Sequence, residues 1–394
     1  MHQPLIRIGF GIVAFALLSA PQAVATEPLS ASTTEAMAQG ASPQAIAEYR
    51  RKLAEYQAAR AEFDAVAVPY WTSITEKRRG RNAKRRDRQQ IMLDDYVLTH
   101  PPLYTGPKRP VDPEPQDDGK PRERKAIPVV SDLLQAAAQE FQFTPQRPAS
   151  EMEFKRAYAR YALASGLTRE QAVRVYSFET GGTGNYDVQA GIEHGGKRAI
   201  STAMGYNQLL TTNSVELMAE QGHEFVKELT AKVNASSGPA RKTLEHKLAV
   251  LKKMVAFTLT VPDDWSAHEK LANTAKGWAV HAMVLDIDVG PMLQTHKLLT
   301  SVLFARAKGY NRPLTAAELE MMNLTGDGTG LDMVTMPQAM REQVPTSNFF
   351  QRSGYERNPV ASRHNTVAKL LAITDERMDV NSGKPGAREM AAAF

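Results

Sequence analysis

The chain contains no cysteine, which excludes disulfides, cysteine-ligated zinc, iron–sulfur clusters, a thiol nucleophile and a lipid-modified cysteine anchor. It also has little excess of one charge, because 48 Lys and Arg face 43 Asp and Glu, for a formal net charge of +5. Apolar residues make up 42% of the 394 positions, so the chain as a whole can bury a core and is not disordered. This length allows one large domain or two ordinary ones.

Long apolar runs are scarce as well. The apolar stretch at residues 8–20 follows Arg7 and is too short for a comfortable membrane span, and an Ala-Val-Ala sequence follows at 23–25. This pattern predicts a Sec-type signal peptide over residues 1–25, with an uncleaved N-terminal anchor as the alternative. We therefore expect an exported protein that acts in a bacterial periplasm or outside the cell.

A long amphipathic helix is predicted in the N-terminal region, residues 26–100. Ser42 and Pro43 form a helix start, because serine caps free backbone N–H groups and proline is favoured at the first helical position. Apolar side chains then recur at helical spacing, at Ile46, Tyr49, Leu53, Tyr56 and Phe63. The helix is expected to end at Pro69, since proline disrupts helix interiors.

A basic run follows at residues 77–88, where eight of twelve residues are Lys or Arg. Three interpretations are open: a solvated helix face, attraction to an anionic wall polymer or membrane surface, and nucleic-acid binding. Nucleic acid is disfavoured as a partner, because no aromatic side chains are interleaved in the run to stack on bases. The cations are Lys77, Arg78, Arg79, Arg81, Lys84, Arg85, Arg86 and Arg88.

Proline marks a domain boundary. Eight prolines lie between residues 101 and 128, which predicts an extended linker over residues 101–149. The domain at residues 150–394 is predicted to be mainly α, with helical patterns at 150–179, 214–233, 240–259, 267–307, 316–322 and 366–376. Its one strand-like piece is 187–201, with a turn at 194–197, so the fold class is mainly α with a small β-hairpin.

The chemistry is predicted to centre on Glu179. Thr168 and Gln171 form a capping box that opens a short helix, and Glu179 lies in the last turn of that helix, after Tyr176 and Phe178. The partial negative charge of a helix C-terminus and apolar neighbours both disfavour ionisation. We therefore expect the pKa of the Glu179 carboxyl to be raised toward the range of a general acid.

Two segments together resemble the lysozyme-like lytic transglycosylases. Residues 179–182 (ETGG) are similar to that family's helix-ending Glu-Ser motif, and residues 202–210 (TAMGYNQLL) to its Gly-Ala-x-Gly-Leu-x-Gln-Leu-Met motif. Thr202 replaces a glycine of the motif, Tyr206 and Asn207 replace its apolar pair, and the spacing between the two segments is longer than usual. The resemblance implies a lysozyme-like helical catalytic domain that acts on peptidoglycan.

The resemblance also implies roles for individual residues. Glu179 takes the place of the catalytic glutamate, and the second segment lines the sugar cleft. The family's late Tyr-Asn landmark has no clean copy, and Tyr310 and Tyr355 are its candidates. The predicted substrate-binding residues are therefore Ser201, Gly205, Tyr206, Asn207, Gln208, Tyr310 and Tyr355.

The implied reaction needs one carboxyl group. Glu179 donates its proton to the glycosidic oxygen between N-acetylmuramic acid and N-acetylglucosamine, then accepts the proton of the muramoyl C6 hydroxyl as a 1,6-anhydro ring closes. A lysozyme-type hydrolase needs a second carboxylate, for which Asp187 and Glu193 are candidates. A non-catalytic peptidoglycan-binding or scaffold protein is the other alternative. Neither a metal nor a cofactor is expected.

Overall fold

The computed structural model describes residues 42–113, 127–192 and 198–394, and these residues are mainly helical, which confirms the predicted fold class at that level. The chain divides into two compact units. The described residues of the smaller unit are 42–113 and 342–367, and those of the larger unit are 127–192, 198–341 and 368–394. The predicted signal peptide, the turn at 194–197 and Glu193 lie outside the described residues. None of the helices described is both long and apolar enough to cross a membrane.

Sixteen α-helices are assigned within the described residues, of which α1, α13 and α14 lie in the smaller unit. In chain order they are α1 (Pro43–Arg86), α2 (Val130–Phe141), α3 (Glu151–Ala164), α4 (Arg169–Glu179), α5 (Thr211–Asn234), α6 (Gly238–Thr258), α7 (Trp265–Ala272), α8 (Ala275–His281), α9 (Gly290–Ala307), α10 (Ala316–Thr325), α11 (Asp327–Thr335), α12 (Gln338–Arg341), α13 (Arg352–Arg357), α14 (Pro359–Arg363), α15 (Val367–Ser382) and α16 (Pro385–Ala393).

Helix α1 starts as predicted but does not end at Pro69. The Ser42 hydroxyl accepts a hydrogen bond from the N–H of Ala45 at 3.2 Å, and the helix then continues through the proline for 44 residues in all. Packing beyond the proline explains the wrong prediction. Trp71 packs edge-on against Tyr355 with ring centroids 5.6 Å apart, and Ile74 is buried. This burial offsets the one helical hydrogen bond that proline removes.

Part of the basic run builds the interior of the smaller unit. Arg81 is 1% exposed, lies 4.4 Å from the ring centre of Tyr96, and donates to the carbonyl of Asn348 at 3.1 Å. Arg78 donates to the carbonyl of Phe350 at 2.8 Å. The run is therefore not a uniformly solvated face. Its exposed cations are Lys77, Arg79, Arg86 and Arg88.

The predicted boundaries of the linker and of the C-terminal domain differ from those of the structure. Helix α2 lies inside the predicted linker and buries Leu133, Ala137 and Phe141 in the core of the larger unit. Its apolar spacing outweighs the prolines on either side. In addition, residues 342–367 belong to the smaller unit, because Asn348 binds the backbone of Val97 through both atoms of its amide.

Helix α9 is the centre of the larger unit and packs against α3, α5, α10 and α11. The helix begins at Gly290, so the helical pattern predicted over 267–307 is divided there. The Asp286 carboxylate precedes the helix and accepts hydrogen bonds from the N–H groups of Asp288 (2.9 Å) and Val289 (3.2 Å). These hydrogen bonds fix the direction of α9. The helix carries Gln294, which contacts the loop at Asn207, and Lys297, which lies near Glu179.

The predicted β-hairpin is not observed as strands in the described parts of 187–201. Isolated antiparallel bridges join Gln189 to Met204 and Met204 to Leu209 instead. The chain reverses at Gly205, whose φ of +77° is costly for any residue with a side chain. A Cβ atom there would lie 2.0 Å from Nε2 of Gln294, so only glycine fits.

Candidate active site

Glu179 is presented by the end of helix α4, as predicted. The Thr168 hydroxyl accepts from the N–H of Gln171 at 3.1 Å and the Gln171 side chain accepts from the N–H of Thr168 at 3.0 Å, which confirms the capping box. The helix ends at Glu179, and Gly182 follows at a φ of +75°. A Cβ atom on Gly182 would lie 2.3 Å from the carbonyl oxygen of Asn381. The absence of a side chain at this position therefore allows the backbone of Asn381 to approach closely.

The Glu179 carboxyl is held by two residues of helix α10. The Asn323 amide donates to Oε1 of Glu179 at 2.8 Å and lies 3.5 Å from Oε2 of Glu320. The Glu320 carboxyl is itself hydrogen-bonded to the Glu179 carboxyl. Glu179 is half-buried, whereas Glu320 is 1% exposed. The site is thus a pair of carboxyls of which one reaches solvent.

The charges around this pair favour its holding a proton. Burial raises the pKa of Glu320 well above its usual range, and the nearby charge of Glu179 raises it further. The hydrogen bond from Asn323 and the charge of Lys297 act in the opposite direction. Two carboxylates in contact cannot both ionise easily, so the contact with Glu179 and the burial of Glu320 both favour the protonated form of the Glu320 carboxyl.

Lys297 of helix α9 faces the carboxyls and lines a cavity beside them. Burial lowers the pKa of its ammonium group, while Glu179, Glu216 and Glu320 and also Asp327 raise it. A cation in this position partly neutralises the site and so offsets the cost of placing several carboxylates together.

The cavity has a volume of about 500 Å³ and lies between α5, α7, α9, α10 and the start of α11. Glu179 is not part of its lining and lies one hydrogen bond behind Asn323, which is part of it. The walls combine carboxylates, amides, hydroxyls and one indole, a mixture suited to a polar ligand with an apolar face. The lining residues are Leu210, Asn213, Glu216, Leu217, Glu220, Trp265, Lys297, Thr300, Ser301, Met322, Asn323, Leu324, Gly326 and Asp327.

Replacing Asn323 by alanine is expected to lower the activity proposed below by about 10- to 100-fold, which corresponds to the ~1.5–3 kcal/mol of a hydrogen bond to a charged group. The carboxyl of Glu179 loses the donor that fixes its orientation. Initial rates on purified substrate at neutral pH measure the effect. Asn273→Ala is the matched control, because that exposed amide bonds only its own helix at Glu269. Equal rates for the two variants would contradict the assignment.

Glu220 makes the cavity mouth sensitive to pH. Burial, and then repulsion from Glu216, Asp263 and Asp327, raises its pKa to about 7. A carboxyl whose pKa is raised in the folded state costs stability above its unfolded pKa of 4.5, and this cost grows as the pH rises to about 7.

Glu220→Gln is therefore expected to raise the melting temperature above pH 7 and to leave it unchanged near pH 4. Glu220 lines the cavity but still reaches solvent, so screening limits the gain to about 2 °C, under ~1 kcal/mol. Calorimetry at the two pH values measures it. Glu245→Gln serves as the control, since Glu245 is exposed and pairs with Arg241. A gain at low pH would contradict the argument.

The second predicted segment packs mainly against the core. The Asn207 backbone N–H donates to Oε1 of Gln294 at 2.8 Å, and its side-chain amide donates to the Gln294 carbonyl at 2.7 Å. The Tyr206 hydroxyl donates to Glu151 at 2.6 Å. Both side chains are completely buried. We therefore assign Asn207 to anchoring this loop on α9, and Tyr206 to anchoring it on α3, rather than to contact with a ligand.

The other predicted residues of this segment are more accessible. The half-buried Ser201 hydroxyl accepts from the N–H of Ala203 at 2.8 Å. Gln208 has a φ of +44° and donates to the carbonyl of Gly205 at 2.9 Å. These contacts shape the loop.

The remaining predicted residues have other partners, lie in the smaller unit or fall outside the described residues. Asp187 forms an ion pair with Arg147. The Tyr310 hydroxyl lies 3.4 Å from Glu318. Tyr355 is buried in the smaller unit, and Glu193 is not among the described residues. Nor do the described residues hold any cluster of three or more His, Asp or Glu side chains arranged for a metal ion.

The sequence analysis missed Glu320, Asn323 and Lys297. One signal was available, because Glu320 is flanked by Leu319 and Met321 in an apolar part of α10. A carboxyl in such surroundings is rarely buried without a partner. The partner itself is 141 residues away in sequence and only the fold brings it close.

Comparisons of the chain with protein-family models, with curated proteins and with solved structures gave no match.

Proposed function

We propose that the protein is a peptidoglycan lytic transglycosylase with a lysozyme-like catalytic domain, in which Glu179 is the general acid and base. The observation that carries the proposal is the half-buried Glu179 carboxyl at a helix end, hydrogen-bonded to a fully buried carboxyl beside a polar cavity. Protonation of a glycosidic oxygen requires a carboxyl whose protonated form is favoured, and burial together with a neighbouring carboxyl acts in that direction here.

The proposed reaction cleaves the bond between N-acetylmuramic acid and N-acetylglucosamine. The proton of Glu179 goes to the glycosidic oxygen as the bond from that oxygen to C1 breaks. The Glu179 carboxylate then takes the proton of the muramoyl C6 hydroxyl, whose oxygen bonds to C1 and closes the 1,6-anhydro ring. The glutamate ends in its starting state, so neither water nor any other reactant is consumed.

Glu320 is unsuited to the role of the second carboxylate that hydrolysis requires. In glycoside hydrolases the two carboxyls stand roughly 5 Å apart or more, on either side of the bond that is cleaved. Glu320 is instead in hydrogen-bond contact with Glu179 and is sealed from solvent, so it cannot hold a water on the far face of a sugar. Asp187 is neutralised by Arg147.

We further propose that the protein acts after export, in the periplasm or outside the cell, where glycan strands are its partner. The exposed cations of the basic run are suited to an anionic wall polymer or membrane surface, which would bring the enzyme close to its substrate. The four cations that remain exposed are Lys77, Arg79, Arg86 and Arg88.

Incubation of purified peptidoglycan sacculi with the mature protein tests the proposal, with the soluble products identified by mass spectrometry. We expect muropeptides lighter than the hydrolysis product by one water. Products with a free reducing end would instead indicate a hydrolase. Binding to sacculi without soluble products would indicate a non-catalytic wall-binding protein.

A further inference from the structure

Glu320 is a buried acid for which the one-carboxyl reaction has no use. It lies on α10, is 1% exposed, and its carboxyl contacts Glu179 rather than a basic partner. Asn323, three residues later on the same helix face, donates to Glu179 at 2.8 Å and also lies beside Glu320. A buried carboxyl is costly unless it is protonated or paired, so its place against Glu179 needs an explanation.

We propose that Glu320 is a positioning residue that shares a single proton with Glu179, so that the carboxyl pair as a unit carries out acid and base catalysis. This inference rests on the proposed function. In the resting site one carboxyl is protonated and donates a hydrogen bond to the other, and Asn323 holds both. Glu179, the more exposed carboxyl of the two, exchanges protons with the substrate in the proposed reaction, whereas Glu320 acts only through Glu179.

The proton balance of the reaction is unchanged by this arrangement. When Glu179 protonates the glycosidic oxygen, the pair is left with two negative charges facing Lys297 of α9. The C6 hydroxyl then returns one proton to Glu179 as the anhydro ring closes. The doubly charged pair is a stronger base than a lone carboxylate, because repulsion between like charges favours protonation.

The surrounding charges are compatible with this cycle. From α9, Lys297 stabilises the doubly charged pair, while Glu216 on α5 and Asp327 at the start of α11 face Lys297 and moderate its effect. On α10 itself, Glu318 points its carboxylate to Arg312 and Arg341 and so does not share in the pair.

The pH profile of sacculus cleavage tests the inference, with two variants that shift it in opposite directions. Glu320→Gln removes the like charge beside Glu179, so Glu179 loses its proton at lower pH. We expect the alkaline limb to move to lower pH by about one unit and the rate at pH 7 to fall about tenfold. Asn323→Ala removes a donor that favours the ionised pair, so the alkaline limb is expected to move to higher pH. Unchanged profiles in both variants would overturn the inference.

Infrared spectroscopy of the full mature protein tests the shared proton without any assay of activity. The wild type is expected to show a protonated carboxyl band at pH 7 that Glu320→Gln removes. Glu179→Gln should shift the band, because the hydrogen-bond acceptor changes from a carboxylate to an amide, and the control Glu318→Gln should leave it in place. If Glu179→Gln leaves the band at its wild-type position, the result would overturn the inference that the two carboxyls share a proton. If the wild type releases no products from sacculi, the proposed function fails and the infrared result still decides whether the proton is shared.

Discussion

Replacing Glu179 by glutamine is expected to reduce the release of anhydro-muropeptides by about 10²–10⁴-fold, the range for loss of a general acid. Glutamine keeps the shape of the side chain and an oxygen that accepts from Asn323. It cannot deliver a proton to the glycosidic oxygen or accept one from the C6 hydroxyl. The measurement is the rate of product formation from sacculi, with circular dichroism to verify that the fold is retained.

Glu170→Gln provides the control for this substitution. Glu170 lies in the first turn of the same helix and is exposed, so the change is chemically identical and distant from the cavity. It should leave the rate within about twofold of the wild type, because an exposed helix-end charge affects stability by only a few tenths of a kcal/mol. A rate for Glu179→Gln that equals the control would remove Glu179 from the mechanism and with it the proposed function.

The second large effect is expected at Lys247, which is 1% exposed and lies 2.9 Å from Oδ1 of the fully buried Asp286. It also forms an ion pair with Asp288. Lys247→Met keeps the apolar stem but leaves the buried carboxylate of Asp286 without its cation, whereas Asp288 still pairs with Lys232. We expect the free energy of unfolding to fall by about 3–5 kcal/mol, the cost of breaking a buried ion pair by removing one partner.

The pH dependence of this loss has a defined sign. Burial raises the pKa of Asp286 even with Lys247 present, so the folded state holds a proton there more tightly than the unfolded chain. The cost of the uncompensated carboxylate is therefore greatest at neutral pH and shrinks as the pH falls toward 4. Urea titrations at pH 7 and pH 4 measure it, with the exposed Lys252→Met as the control. A loss under ~1 kcal/mol at pH 7 would show that the pair contributes little.

This pair also affects the candidate site through helix α9. Asp286 accepts from the N–H of Gln146 at 2.8 Å and from the backbone that leads into α9. The same helix carries Gln294, which holds the loop at Asn207, and Lys297, which faces the carboxyl pair. Weakening the Asp286 anchor is therefore expected to disturb both.

Local signals predicted the part of the site that depends on neighbours in sequence. The capping box and the helix end at Glu179 need only residues within one or two turns, and both are present. Glu320 reaches Glu179 only because α10 packs against α4, which no local spacing encodes. For Tyr206 the sequence suggested a functional role, whereas the structure shows a packing role. A motif resemblance suggested contact with a sugar, whereas burial among Phe154 and Tyr158 makes it part of the core.

The same contrast holds for the fold. Helical periodicity predicted most of the helices, but Pro69 does not end α1 because packing of Trp71 and Ile74 sustains the helix beyond it. Helix α2 was not predicted, because prolines flank it in the sequence. Its apolar face is nevertheless buried in the structure. Helix propensity is a local quantity of about one to a few kcal/mol per residue. The free energy gained by burying several apolar side chains in the tertiary structure exceeds it.

The smaller unit is assembled from two stretches of chain that are far apart in sequence, and this determines when it can fold. The buried guanidinium of Arg81 bonds Asn348, and Trp71 packs on Tyr355, so its core joins residues more than 260 positions apart. During synthesis the N-terminal helix must wait for nearly the whole chain before it finds these partners. Closing so long a loop makes folding slow, and apolar groups such as Trp71 stay exposed meanwhile. A fragment that ends at residue 125 therefore lacks the partners of Arg81 and Trp71, and a chaperone that covers α1 until residues 342–367 arrive would protect this protein from aggregation.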